Sequence, residues 1–197
     1  MFNANLSKPL WPSAYLSIDE TLYPMRHQIA LRQFNPKKPH KYGLLFKSLN
    51  DARFPYTYKA VPYAGKPTEG TGLFHLESTL DYVKYLVLET EKDFDLNGRC
   101  ISTDRLYTSI AQAEWLLSKK ITNLGTMDTN RIGIPDELKN PKHQKREQFS
   151  TTCHFEKDRK HLCINTYNVS TKSKGQKNVV MLTTLRPMVG RTINNGR

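Results

Sequence analysis

Tyr15-Leu16-Ser17-Ile18-Asp19-Glu20-Thr21 is the stretch whose reading decides the fold. Leu16 and Ile18 alternate with Tyr15, Ser17 and Asp19, the period-two pattern of a half-buried strand. The strand is expected to end at the acidic pair Asp19-Glu20. A basic segment follows closely, Arg32-Gln33-Phe34-Asn35-Pro36-Lys37-Lys38-Pro39-His40-Lys41-Tyr42-Gly43. Acid beside base at this density points to a site that holds a divalent cation against a phosphate backbone.

A second acid has the same setting. Arg99-Cys100-Ile101-Ser102-Thr103 reads as a short strand that delivers Asp104. If the two strands are neighbours, Asp19 and Asp104 coordinate Mg²⁺ or Mn²⁺, hard ions that prefer oxygen ligands. Two such ions suit phosphodiester chemistry, one activating the nucleophile and the other stabilising the leaving oxygen. A third acid is generally wanted to hold both. Asp104 equally suits a turn cap ahead of a helix. Glu20 is read as a supporting or exposed group. Asp128, Asp136 and Asp158 lie in turn-rich or basic segments, without a strand-end setting.

Outward from these acids, Leu44–Leu49 and Tyr56–Tyr63 read as two further strands joined through Asn50-Asp51 into an antiparallel ribbon. Pro36, Pro39 and Pro55 exclude long helices from this half. Ser78–Glu91 carries a helical stripe of Leu80, Val83, Leu86 and Val87, with Tyr82 toward its edge. Ser109 or Thr108 caps a second helix reaching Lys119, with Ile110, Ala113, Leu116 and Leu117 inward. Ile121–Thr126 resembles a buried strand. Strand, helix, strand in this order predicts a parallel unit with a right-handed crossover. Further on, Phe155–Asn165 suggests a hairpin around Lys157–Lys160, and Val179–Leu182 another strand. Pro135–Ser150 and the last eleven residues show no core pattern. Three antiparallel strands, a helix, then alternating strand and helix fit an α/β, ribonuclease-H-like mixed sheet with flanking helices. Acids at the ends of its neighbouring central strands meet across the sheet.

Charge supports an anionic partner. The 197 residues carry 30 Lys and Arg against 18 Asp and Glu, a net +12. Nine of those twelve charges fall from Pro141 onward. Arg32–Lys47 adds five basic residues and no acid. Lys37, Lys38 and Lys41, spaced by prolines, together with Arg32, are candidates for phosphate contacts that do not read bases. The competing reading is a solvated turn with Phe34 and Tyr42 packed into the core. Cys100, Cys153 and Cys163 lack a CxxC pair and read as reduced thiols. Zinc at Cys153, His154, His161 and Cys163 is disfavoured by their spacing. No apolar run approaches membrane-spanning length and no secretory signal is apparent. A nuclear or cytoplasmic protein, not secreted and with no membrane partner, is expected.

At these residues the chain resembles the piggyBac transposase family, including its domesticated, transposable-element-derived members. Ser17-Ile18-Asp19-Glu20, Arg26, Arg32-Gln33-Phe34 and Pro36–Gly43 resemble its first catalytic block. Thr103-Asp104-Arg105-Leu106-Tyr107-Thr108-Ser109 and Ala113-Glu114-Trp115-Leu116-Leu117 resemble its second. Gly125-Thr126, Asn130-Arg131 and Ile134-Pro135 are similar to the run beyond. The resemblance implies a DDE/DDD-type centre with a divalent metal (Mg²⁺ or Mn²⁺), Asp19 as first aspartate and Asp104 as second, and double-stranded DNA as partner, with a homodimer as the assembly. Arg105 stands where the family often has Asn, poised to pair with Asp104 or a phosphate. By this resemblance the chain is expected to end at Arg197 before the third aspartate, without the family's N-terminal DNA-binding portion and C-terminal cysteine-rich zinc module.

Residues 1–15 are thus expected to form an irregular segment. Residues 16–197 are expected to form a partial catalytic domain, incomplete at the C-terminus. The parent activity is metal-dependent cleavage and strand transfer, and the isolated chain is expected to be inactive. The alternatives are a domesticated, non-catalytic DNA- or chromatin-binding protein, or a nonfunctional transposon-derived fragment.

Overall fold

The computed structural model describes residues 10–65, 76–134, 149–155, 161–171 and 175–185. In chain order they form β1 (Tyr15–Pro24), β2 (Arg32–Phe34), β3 (Tyr42–Asp51), β4 (Thr57–Pro62), α1 (Thr79–Glu91), β5 (Cys100–Thr103), α2 (Ile110–Ser118), β6 (Thr122–Met127), β7 (Thr151–Phe155), β8 (Cys163–Thr171) and β9 (Gly175–Thr183). All nine strands join one sheet in the order β2-β3-β1-β5-β6-β9-β8-β7, and β4 also pairs with β3. β2 takes Tyr42–Leu44 of β3, and β4 takes the stretch from Phe46 onward.

The centre of the sheet has mixed polarity. β1 runs antiparallel to β3 and parallel to β5, and β5 runs parallel to β6. The parallel step from β5 to β6 is bridged by α2, as the strand–helix–strand pattern predicts, while the step from β1 to β5 runs through β2, β3, β4 and α1. This is the ribonuclease-H-like arrangement expected from the sequence. β9, β8 and β7 extend it as an antiparallel meander beyond β6.

Both helices begin at full capping boxes. Ser78 accepts from the Asp81 amide and Asp81 reaches back, while Ser109 and Gln112 do the same for α2. Each box satisfies two amides that the first helical turn leaves open. α1 buries Tyr82, Val83, Leu86 and Val87 against Leu16 and Ile18 of β1, Leu49 of β3 and Ile101 of β5. Leu116 of α2 joins the same cluster, so both helices cover one face. A smaller cluster under α2 gathers Ala113, Met127, Ile164, Val180 and Leu182.

Several sequence expectations are corrected. β1 does not stop at Asp19 but continues to Pro24, because residues 16–24 all pair with β3 while pairing with β5 ends at Ile18. Asn50-Asp51 is strand rather than turn, and the ribbon turns at residues 52–56. The Asp51 carboxylate organises that turn. It accepts from the amides of Ser13, Arg53 and Phe54 and from the Tyr58 hydroxyl, at 2.8–3.1 Å. Tyr82, placed toward the edge of α1, is fully buried. Part of the basic segment forms β2. The turn expected at Lys157–Lys160, most of the Pro135–Ser150 loop and the last eleven residues lie outside the described residues.

Candidate metal and nucleic-acid site

The register of β1 and β5 puts the backbones of the two predicted aspartates on neighbouring strands, one step past the last pair. Their last parallel pair is Ile18 with Thr103, and one step further stand Asp19 and Asp104. Neighbouring strands lie about 4.8 Å apart, so the two positions are adjacent. Each carboxylate uses one oxygen locally. Asp19 Oδ1 accepts from the Glu20 amide at 2.7 Å and Asp104 Oδ1 accepts from the Leu106 amide at 2.9 Å. Both residues are exposed, and each Oδ2 has no hydrogen-bond partner among the described residues.

The turn after β5 is fixed from below. Thr108 Oγ1 donates to the Asp104 carbonyl at 2.7 Å and lies 2.8 Å from Thr103 Oγ1. Gly125 of β6 makes room for this, since a Cβ there would come 2.3 Å from Thr108 Oγ1 and 2.6 Å from the Thr103 carbonyl. The glycine is a packing requirement of the turn that carries Asp104.

Glu20, one residue after Asp19, faces the helical side of the sheet. Its cross-strand partner is Lys47, which is 4% exposed. The Lys47 ammonium lies 3.7 Å from Glu20 Oε1, and 4.8, 4.1 and 5.3 Å from the ring centres of Tyr63, Tyr82 and Tyr107. Cation–π attraction offsets part of its desolvation. Burial pushes the Lys47 pKa down, against the pull of Glu20 and then Asp104. The Tyr107 hydroxyl donates to Glu20 Oε1 at 3.3 Å. Burial raises its pKa first, then the charge and hydrogen bond of Glu20, then the charges of Asp104 and Asp19. Three carboxylates thus act on one phenol. Sequence reading missed Lys47, whose signal was a lone lysine among apolar residues of a central strand.

Glu20, Asp104 and Asp128 line one open cleft of about 590 Å³ together with Lys37, Arg105, Asn130 and Arg131. Asp128 follows directly on β6, so its dismissal as an acid without a strand-end setting is corrected. The sequence reading closed this strand one residue early, at Thr126. Asp19 is not part of the cleft lining and points to the face opposite Glu20, because successive residues of a strand alternate sides. Among the described residues, no group of three or more His, Cys, Asp and Glu converges as a metal centre. The donors at Asp19 and Asp104 fit a hard divalent ion in kind, with two carboxylates where three are wanted.

The basic residues divide between two places. Lys38 Nζ donates to the Glu20 carbonyl at 3.3 Å, and Lys37 reaches the cleft. Arg32 and Lys41 lie further out, around Tyr42. Arg105 is exposed in the Asp104 turn and makes no ion pair with Asp104 among the described residues. Its carbonyl accepts from Arg131 Nη2 at 3.3 Å. Phe34 and Tyr42 are 57% and 49% exposed, so they are not core residues. Cys100 and Cys163 are buried thiols, while Cys153 is exposed.

The mixed sheet with helices on it is a ribonuclease-H-like architecture. The chain belongs to the family described as Transposase IS4, which matches residues 1–184. It is similar to a piggyBac transposase solved by cryo-electron microscopy as a synaptic complex with hairpin DNA. The two share 28% sequence identity and a TM-score of 0.78, over 96% of this chain and 37% of that one. The chain therefore spans well under half the length of that relative.

Proposed function

We propose that this chain is part of a piggyBac-like transposase catalytic domain, in which Asp19 and Asp104 are two carboxylates of a divalent-metal centre for DNA cleavage and strand transfer. The observation that carries the reading is the parallel register of β1 and β5. Extended one step past its last pair, it supports neighbouring backbone positions for Asp19 and Asp104, each with one carboxylate oxygen uncommitted among the described residues. Bound there, Mg²⁺ or Mn²⁺ supplies Lewis acidity to a phosphodiester. The chain's own contribution is to hold the acids at fixed positions, through the Thr103–Thr108 contact and the Tyr107–Glu20 bond. Arg32, Lys37, Lys38, Lys41 and Arg105 bind duplex DNA through phosphates, and self-association places two copies on it.

With Asp19 and Asp104 assigned to the metal, this chain is expected to bind DNA without cutting it. The test combines duplex binding with nicking of supercoiled DNA in Mg²⁺ or Mn²⁺. Salt-sensitive binding that survives Asp19→Asn and Asp104→Asn, without nicking, is expected. Nicking lost in both variants would show a complete centre and overturn the inactivity of the isolated chain. Absence of DNA binding at low salt would overturn the nucleic-acid reading.

A further inference from the structure

The sheet face that carries Asp19 also carries a strip of exposed aromatic rings. Pairing of β1 with β3 and of β3 with β2 places Asp19, Thr21, Tyr23, Phe46, Leu44, Arg32, Tyr42 and Phe34 on one side. Tyr23 is 58% exposed, and its ring packs against Phe46 at 5.6 Å. Phe34 and Tyr42 touch at 4.8 Å between ring centres with a 41° tilt, and the Arg32 guanidinium lies 4.3 Å from the centre of the Tyr42 ring. Arg32 Nη1 is held by the Arg26 carbonyl at 3.2 Å, and its Nε has no hydrogen-bond partner among the described residues. Two open grooves of about 420 and 450 Å³ flank Tyr42, edged by Arg26, His40 and Lys41 on one side and by Gln28 and Ile29 on the other.

A cross-strand aromatic pair alone stabilises a ribbon by roughly 0.2–1 kcal/mol. That role does not require rings this exposed, nor cations beside them. No acid occurs between Thr21 and Lys47. Duplex DNA presents phosphates and groove edges to a surface like this one, and its base faces are already stacked. Unpaired bases present their π-faces, which stack on aromatic rings and on arginine whatever the sequence.

We propose that Phe34, Tyr42 and Arg32 form a stacking platform for unpaired nucleotides of a DNA strand that runs along β1 toward Asp19. Tyr23 lies between platform and acid, four residues from Asp19, or about 14 Å at ~3.4 Å per residue. Arg26 and Lys41 take the phosphates beside the stacked bases. The inference rests on the reading that this surface meets DNA, and it adds a preference for unpaired over duplex strands.

The test measures fluorescence anisotropy of the whole chain with a labelled oligo-dT single strand and with a duplex of equal length, at one salt concentration. The double variant Phe34→Leu/Tyr42→Leu keeps apolar bulk and removes the rings. It is expected to lose about tenfold to hundredfold in affinity for the single strand while duplex affinity stays within about twofold. Lys37→Ala is expected to weaken both. Equal losses on the two DNAs, or none on the single strand, would overturn the platform and leave the DNA reading intact. Loss of wild-type binding to both would instead defeat the DNA reading. Should the double variant not fold, 2-aminopurine placed within the oligo-dT reports on the wild-type chain. Quenching on saturation is expected, and unchanged emission would overturn the proposal.

Discussion

Lys47 shows how one residue links packing to the site. Its ammonium is enclosed by three tyrosines and the Glu20 carboxylate, with the charge of Asp104 further off, and it reaches elements that are distant in sequence. Removing one member of such a pair leaves the other charge buried, whereas an apolar side chain of similar shape avoids the desolvation cost. Lys47→Met is therefore expected to change stability by less than about 1 kcal/mol, because the Glu20 it leaves is partly exposed and still bonded to Tyr107. Glu20→Gln takes the nearest counter-charge from the buried ammonium and is expected to cost about 2 kcal/mol or more. Urea denaturation of both variants at pH 7 checks the order. Equal costs would mean that the cage, and not the carboxylate, holds the lysine.

At the scale of elements, the ribbon of β3 and β4 depends on Asp51. Burial would raise its pKa, but the amides of Ser13 and Arg53, the Tyr58 hydroxyl and the Phe54 amide outweigh this and hold the carboxyl down at about 2. A carboxyl depressed in the folded state stabilises fully above its unfolded pKa near 3.9, and loses that contribution as pH falls through about 2. The wild-type chain is expected to lose about 2 kcal/mol between pH 4.5 and 2 through this group, and Asp51→Asn to remove that part of the pH dependence. Denaturant midpoints across this range measure it. A slope unchanged by Asp51→Asn would place the acid sensitivity elsewhere.

The same ribbon shows what a sequence can and cannot reveal. Leu16 and Ile18 alternate, and the helical stripes repeat, because each element buries one face; that information is local and was legible. The start of α1 at Ser78 and a cap for α2 at Ser109 or Thr108 were legible for the same reason, and Ser109 is the cap. The continuation of β1 past Asp19 and the strand role of Arg32–Phe34 depend on pairing with β3, and the burial of Lys47 on the tyrosines packed over it, all contacts between distant segments. Asp19 and Asp104 were visible as acids after strands. Asp128 was hidden by one residue of strand length, and the opposite orientations of Asp19 and Glu20 follow only from the register.

For the whole molecule, the fold places its chemistry at one junction. β1 and β5 run parallel, so Asp19 within β1 and Asp104 just after β5 stand at the same level of the sheet, while β3 and β2 bring cations alongside in an antiparallel ribbon. Acid and base that lie apart in the chain are thereby interleaved on a surface of net positive protein charge. Such a charge attracts a polyanion over many ångströms and orients it before contact. The central claim is that Asp19 and Asp104 act together as ligands of a divalent ion. Electron paramagnetic resonance of free Mn²⁺ titrated with the metal-free chain tests this most directly. Wild type is expected to deplete the free-ion signal, and Asp19→Asn and Asp104→Asn each to weaken that depletion by about tenfold or more while the chain stays folded. Depletion unchanged in either variant, or none in the wild type, would contradict it.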